Sequence, residues 1–244
     1  MDWDDYEAVL FDLDGVITPT AEVHMRAWAA MFNSFLDERG VEPPYTDQDY
    51  FDHVDGKPRY DGVRDFLASR DITLPEGSLD DSGDPDAPAT VCGLGNQKNA
   101  AFAQVLRDEG VEAYPGSLAL LEQLRDSGMK MAIVSSSKNA PDVLDAAGVT
   151  GFFSVVVHGG VAAERGLAGK PAPDTYQAAA AELGVPDSSS VVVEDATSGV
   201  AAGAAGDFGL VIGVDRGVGA DALLAAGADV VVADLDELLS GGTP

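Results

Sequence analysis

From "AYPG" (113–116) onward, short apolar runs alternate with stretches of helical periodicity. The strand candidates are "KMAIVSS", "FFSVVVH", "SVVVED", "LVIGV" and "ADVVVA". Between and around them lie "LALLEQLRDSG", "APDVLDAAG", "APDTYQAAAAELG" and "SGVAAGAAGDFG", each with apolar residues at helical spacing, and a last short helix "LDELLS" closes the series. Repeated βα units of this length predict a parallel sheet covered by helices on both faces. A further strand, from Tyr6 to Leu13, precedes a long stretch of different texture and belongs with the same sheet.

That stretch is helical. Residues 21–39 carry apolar residues at helical spacing and end at Gly40, a residue suited to stopping a helix. Residues 41–60 are mixed and rich in Pro and Asp; "DGVRDFLASR" predicts a short helix, and another is expected from about Asn96 to Asp108. Between these lies "TLPEGSLDDSGDPDAPAT" (73–90), an acidic loop without periodicity. The organisation expected is an α/β, Rossmann-like core of residues 1–18 and 113–244, with a helical cap of residues 19–112 inserted after the first strand.

A chain of 244 residues with 45% hydrophobic residues can bury a substantial core. No run approaches the 18 or more apolar residues of a membrane span, and the acidic start "MDWDDYEAVL" is unlike a signal peptide. The single cysteine, Cys92, excludes an internal disulfide and a cysteine zinc site. A cytoplasmic setting and a monomer are expected. With 42 acidic residues against 14 basic ones the net charge is −28, which argues against nucleic acid as partner. No membrane partner is expected either. Such a surface is highly solvated, and a high-salt cytoplasm would screen its self-repulsion.

In open α/β sheets ligands bind beyond the carboxyl ends of the strands, and there the sequence places its polar residues. "VLFDLDGVITPT" ends a strand in Asp12 and Asp14, one residue apart and so directed to the same side. "AIVSSSKN" ends in Ser135, Ser136 and Ser137, followed by Lys138. "GKPAPD" sets Lys170 just before a helix, and "SVVVEDATSG" ends in Glu194 and Asp195. Each piece alone reads as a solvated loop, a helix cap or a surface lysine. Together, in order and at strand ends, they assemble four carboxylates, a hydroxyl and a lysine. Oxygen ligands without Cys or His suit a hard cation, Mg²⁺ first, and the Ser and Lys suit a phosphoryl group. "GVAAGAAG" does not match G-x-G-x-x-G; its small residues instead predict a helix packed close to the sheet.

"FDLDGV", "VSSS", "GKPAPD" and "VEDATSGVAAGAAG" resemble the four ordered motifs of the haloacid dehalogenase superfamily. "DLDGVITPTAEVHMRAW" and "SSSKN" are similar to its β-phosphoglucomutase and phosphatase branch. The resemblance implies that Asp12 is a nucleophile forming an aspartyl-phosphate and that Asp14 is the general acid/base. It implies Mg²⁺ held by Asp12, Glu194, Asp195 and the carbonyl of Asp14, with Ser135 and Lys170 on phosphoryl oxygens. It also implies a cap that closes over the site: Thr20 and His24 on its hinge side, influencing Asp14, and Arg59 and Lys98 toward a second phosphate. The expected partner is a small phosphorylated metabolite, a sugar phosphate. The expected reaction is conversion of β-glucose 1-phosphate to glucose 6-phosphate, with glucose 1,6-bisphosphate as priming donor. A phosphatase using water as acceptor is the alternative. A catalytically silent binding protein would be expected to lack one of Asp12, Asp14, Lys170 or Asp195, and all four are present.

Among the five lysines, Lys57, Lys98, Lys138 and Lys170 fall in stretches assigned to the site and Lys130 does not. Two features differ from compact mutases of this branch. Pro19 stands where an acidic residue is more usual, and the 73–90 loop lengthens the cap.

Overall fold

The computed structural model describes residues 1–87 and 89–239, so Pro88 of the acidic loop and Ser240 of the predicted last helix lie outside the described residues. The chain divides into two compact units, residues 1–19 with 111–244 and residues 20–110.

The first strand, β1, is Ala8–Phe11, shorter than the apolar run around it. The unit 20–110 follows with four helices: α1 (Thr20–Arg39), α2 (Asp47–His53), α3 (Arg59–Ser69) and α4 (Val91–Glu109). α2 was not expected from the mixed 41–60 segment. It is started by a reciprocal cap in which Thr46 Oγ1 accepts from the Asp49 amide at 3.2 Å while Asp49 accepts from the Thr46 amide at 2.9 Å. α4 begins at Val91 rather than near Asn96, because Thr90 Oγ1 accepts from the Gly93 amide at 2.9 Å and caps an earlier turn. The core of this unit is aromatic: Phe32 lies 4.1 Å from Phe66 and 5.0 Å from Tyr45, ring centre to ring centre. Arg70 contacts both Asp49 carboxylate oxygens at 2.9 Å beside that cluster.

The other unit continues with α5 (Pro115–Ser127), β2 (Lys130–Val134), α6 (Ala140–Ala146), β3 (Val155–Val157), α7 (Gly159–Arg165) and α8 (Asp174–Leu183). It ends with β4 (Ser190–Glu194), α9 (Thr197–Ala205), β5 (Leu210–Val214), α10 (Ala220–Ala226) and β6 (Val230–Val232). The described part of "LDELLS" is a single 3₁₀ turn, Leu235–Leu238, capped by Asp234 and Glu237. α7 and α10 were not expected. Both are seven residues long and stop at a glycine; α7 opens on two glycines and α10 is mostly alanine, so neither has a clear apolar stripe.

Among the described residues six strands form one parallel sheet in the order β3-β2-β1-β4-β5-β6. The strand order reverses direction between β1 and β4, which opens the crevice where such sheets take ligands. Phe11 is in register with Ile133 on one side and Val193 on the other. The next residues, Asp12, Val134 and Glu194, therefore lie at one level, at the carboxyl ends of β1, β2 and β4. β1 is buried throughout, as expected for a central parallel strand. α9 packs close to the sheet as its small residues predict: a Cβ on Gly203 would meet Val192 and Val211 at 3.1 Å.

Candidate active site

Asp12 continues β1 by one more ladder bond, its amide donating to the Val193 carbonyl at 2.9 Å. The side chains of Asp12, Glu194 and Asp195 are buried, and one carboxylate oxygen from each lies within 4.8 Å of the others. Lys170, only 3% exposed, projects between β2 and this cluster. Its ammonium donates to Asp12 Oδ1 and Glu194 Oε1, both at 2.5 Å, and to the Val134 carbonyl at 3.0 Å.

Glu194 is held from three more directions. The Tyr176 hydroxyl donates to its Oε1 at 3.1 Å and the Ala196 amide to its Oε2 at 2.9 Å. Gly199 in the first turn of α9 comes so near that a Cβ there would strike the Glu194 carboxylate. Tyr176 was missed in the sequence. The available signal was one large hydroxyl-bearing aromatic in an alanine-rich helix, since a buried tyrosine hydroxyl usually finds a partner.

The segment after Asp12 folds back on itself. The amides of Ile17 and Thr18 both donate to the Leu13 carbonyl, at 3.0 and 3.1 Å, and Gly15 donates to the Thr18 carbonyl at 2.7 Å. Gly15 has φ +89°, and a Cβ there would collide with the Asp195 carboxylate. A glycine is therefore required both for the turn and for the close approach. The Ser135 hydroxyl donates to Asp14 Oδ2 at 3.4 Å and accepts from the Ser137 amide at 3.1 Å. In unit 1–19/111–244 the structure thus brings together Asp12, Asp14, Ser135, Lys170, Glu194 and Asp195.

The charge balance of the cluster points to a cation. Three buried carboxylates face one ammonium, and buried charge left uncompensated is costly. Burial, then repulsion from Glu194 and Asp14, pushes the Asp12 carboxyl well above its ordinary range despite the opposing pull of Lys170. Burial by itself would lower Lys170, but Asp12 and Glu194 outweigh it and hold the ammonium protonated. An all-oxygen, net-negative, buried donor set fits a small hard divalent ion.

In unit 20–110 the Lys98 ammonium meets His24 Nδ1 and lies 5.0 Å over the Trp28 ring and 5.1 Å over Phe102. His24 stacks on Phe102 with ring centres 4.0 Å apart. Thr20, the first residue of α1, is buried. Arg59 donates to Asn99 Oδ1 at 2.6 Å and Asn96 Oδ1 at 3.4 Å, and burial lowers its guanidinium pKa, with Tyr60 opposing. Thus His24 and Lys98 form one group and Arg59 another with Asn96 and Asn99. Lys57 forms an ion pair with Asp65 at 2.8 Å, and Lys130 donates to the Leu183 carbonyl at 2.9 Å, a tie between β2 and the end of α8.

Among the described residues no helix is long and apolar enough to cross a membrane. Residues 6–207 match the haloacid dehalogenase-like hydrolase family. β-Phosphoglucomutase of Mycobacterium bovis is 49% identical over 241 residues, covering 95% of this chain and 91% of that one. Hexitol phosphatase A of Escherichia coli is 30% identical, covering 80% of this chain and 77% of its own. The crystal structure of CbbY from Rhodobacter sphaeroides in complex with phosphate shares the fold, with a TM-score of 0.71, 24% identity and 96% of each chain covered. The chain belongs to the haloacid dehalogenase-like hydrolases, in their β-phosphoglucomutase-like branch, and is an enzyme of the phosphotransferase or phosphatase kind.

Proposed function

We propose that the protein transfers a phosphoryl group by way of an aspartyl-phosphate on Asp12, and that its reaction is that of a β-phosphoglucomutase. The observation that carries the chemistry is the buried group of Asp12, Glu194, Asp195 and Lys170 beside the Asp14–Ser135 contact. The 49% identity to a named β-phosphoglucomutase supports the substrate.

An Asp12 carboxylate oxygen forms a bond to phosphorus as the bond from phosphorus to the ester oxygen breaks. Asp14 gives its proton to that departing oxygen. In the return step Asp14, now ionised, takes the proton of an acceptor hydroxyl, whose oxygen displaces Asp12 from phosphorus. Lys170 and Ser135 hold the equatorial oxygens, where positioning and charge neutralisation account for most of the catalysis. Mg²⁺ would be held by Asp12, Glu194, Asp195 and the Asp14 carbonyl, and when bound it supplies the positive charge that offsets repulsion between carboxylate and phosphoryl oxygens. In the unit 20–110 we assign Arg59 and Lys98 to the second phosphate of a bisphosphate and His24 with Thr20 to tuning Asp14. Glucose 1,6-bisphosphate would serve as priming donor.

The identity to hexitol phosphatase A favours a second reading, in which water accepts the phosphoryl group. Incubation with β-glucose 1-phosphate, Mg²⁺ and glucose 1,6-bisphosphate, with product identification, separates the two. Glucose 6-phosphate is the expected product; inorganic phosphate as the sole product would refute the mutase reading.

A further inference from the structure

Arg216, two residues beyond β5, reaches the loop that carries Asp14. Its Nε donates to the Gly15 carbonyl at 2.9 Å. Elsewhere on the guanidinium, Nη1 donates to the Ala233 carbonyl at 3.0 Å and lies 3.5 Å from Asp234 Oδ2, while Nη2 is buried without a hydrogen-bond partner among the described residues. Its central carbon sits 4.0 Å from the centre of the Tyr114 ring. A planar group fixed by stacking and by the two acceptors at Nη1 presents its Nε–H in one direction.

The loop's own bonds leave this job open. Leu13 and Thr18 carbonyls are used within the loop; the carbonyls of Gly15, Val16 and Ile17 are held from outside it. Ser117 Oγ donates to Val16 at 2.7 Å and the Tyr114 amide to Ile17 at 2.9 Å. Arg216 takes the carbonyl of Gly15, in the Gly15–Val16 peptide; Gly15 follows Asp14 directly and its Cα faces Asp195. Rotation of that peptide would loosen the Gly15 turn closed by the Thr18 carbonyl, on which the Asp14–Ser135 contact and the close approach to Asp195 depend.

We propose that Arg216 is a positioning residue for the phosphoryl-transfer reaction, holding the Gly15–Val16 peptide so that the turn after Asp14 keeps the Asp14 carboxyl beside Ser135 for its proton exchange. This rests on the reading of Asp14 as general acid/base given above. Arg216 touches no reacting atom; it acts through the Gly15 carbonyl.

The test compares Arg216→Ala and Arg216→Lys with the parent in the presence of Mg²⁺, using β-glucose 1-phosphate and p-nitrophenyl phosphate. Hydrogen exchange of the Gly15 and Thr18 amides is followed in parallel. Arg216→Ala is expected to lower kcat about 10- to 100-fold, as for a displaced catalytic group, with little change in KM. Both amides should exchange faster. Arg216→Lys, which keeps one N–H for Gly15, should recover part of kcat. Folded Arg216→Ala protein with parental kcat and amide exchange overturns the proposal, as does a loss of kcat with the exchange of both amides unchanged. Asp14→Asn is the control for the underlying reading. Parental kcat in that variant refutes the acid/base role itself, whereas an inactive Asp14→Asn beside a fully active Arg216→Ala refutes only the role of Arg216.

Discussion

The Lys170 ammonium stands 2.5 Å from Asp12 Oδ1 with its side chain 1% exposed, in a cluster that holds two further carboxylates. It is the cation on which the cluster's charge balance rests. Replacing it with Met leaves three buried carboxylates facing one another. Removal of one partner from a buried ionic group costs about 3–5 kcal/mol. Lys170→Met is therefore expected to melt well below the parent in EDTA and to regain part of the loss when Mg²⁺ is added. Phosphoryl transfer should fall at least about 100-fold. Equal melting temperatures in EDTA would contradict this account.

The same charge balance gives the site a pH dependence. Burial, then Glu194 and Asp14, raises the Asp12 carboxyl well above its ordinary value of 3.8. Between that value and the raised one the folded protein holds a proton that the unfolded chain has released. Asp12 thus contributes stability that is fully present below 3.8 and is lost as pH rises through its folded pKa. The raised Lys170 has the same sign but acts only in alkali, its contribution being lost as pH climbs above 10.5 through its folded pKa. In EDTA the melting temperature should decline across the Asp12 window. Asp12→Asn should remove that decline and melt higher than the parent at neutral pH while losing all turnover. Differential scanning fluorimetry across pH tests this; parallel curves for the two proteins would rule it out.

The core was legible in the sequence because a parallel strand buried on both faces must be apolar along its length, and its polar residues can begin only where the sheet ends. That is why the sequence alone places Asp12, Ser135, Glu194 and Asp195 at the sheet's carboxyl edge. Less legible were elements whose cause is a single contact. α2 hangs on the Thr46–Asp49 cap rather than on periodicity. The start of α4 was hidden by Gly93 and Gly95, which look like breakers; a Cβ on Gly95 would meet the Tyr60 ring at 2.8 Å, so that glycine serves close packing. The roles of Tyr176 and Arg216 were hard to place because each acts from a distant stretch of chain, one on Glu194 and the other on the Gly15 backbone.

Tyr176→Phe tests the support of Glu194. The hydroxyl donates to Oε1 at 3.1 Å in a fully buried setting, and the ring carries the Lys170 ammonium 5.1 Å from its centre. Loss of a hydrogen bond to a charged group costs about 1.5–3 kcal/mol. A lower melting temperature is expected, together with about 10- to 100-fold weaker Mg²⁺ binding, the usual effect of removing a partner that orients a metal ligand. Titration calorimetry with Mg²⁺ measures it; unchanged affinity would mean that Lys170, the Ala196 amide and close-packed Gly199 suffice to hold Glu194.

The net charge of −28 sets the last expectation. Most acidic side chains lie on the surface, and their mutual repulsion opposes the compact state. Screening shortens from about 10 Å at 0.1 M salt to about 3 Å at 1 M. Surface ion pairs such as Lys57–Asp65 weaken under the same screening, but each contributes little. Repulsion should dominate, so KCl raised from about 0.1 M to about 1 M should increase the melting temperature in EDTA. Sodium chloride at matched ionic strength should act alike if screening is the cause. A melting temperature that falls with either salt would mean that the attractive pairs outweigh the repulsion.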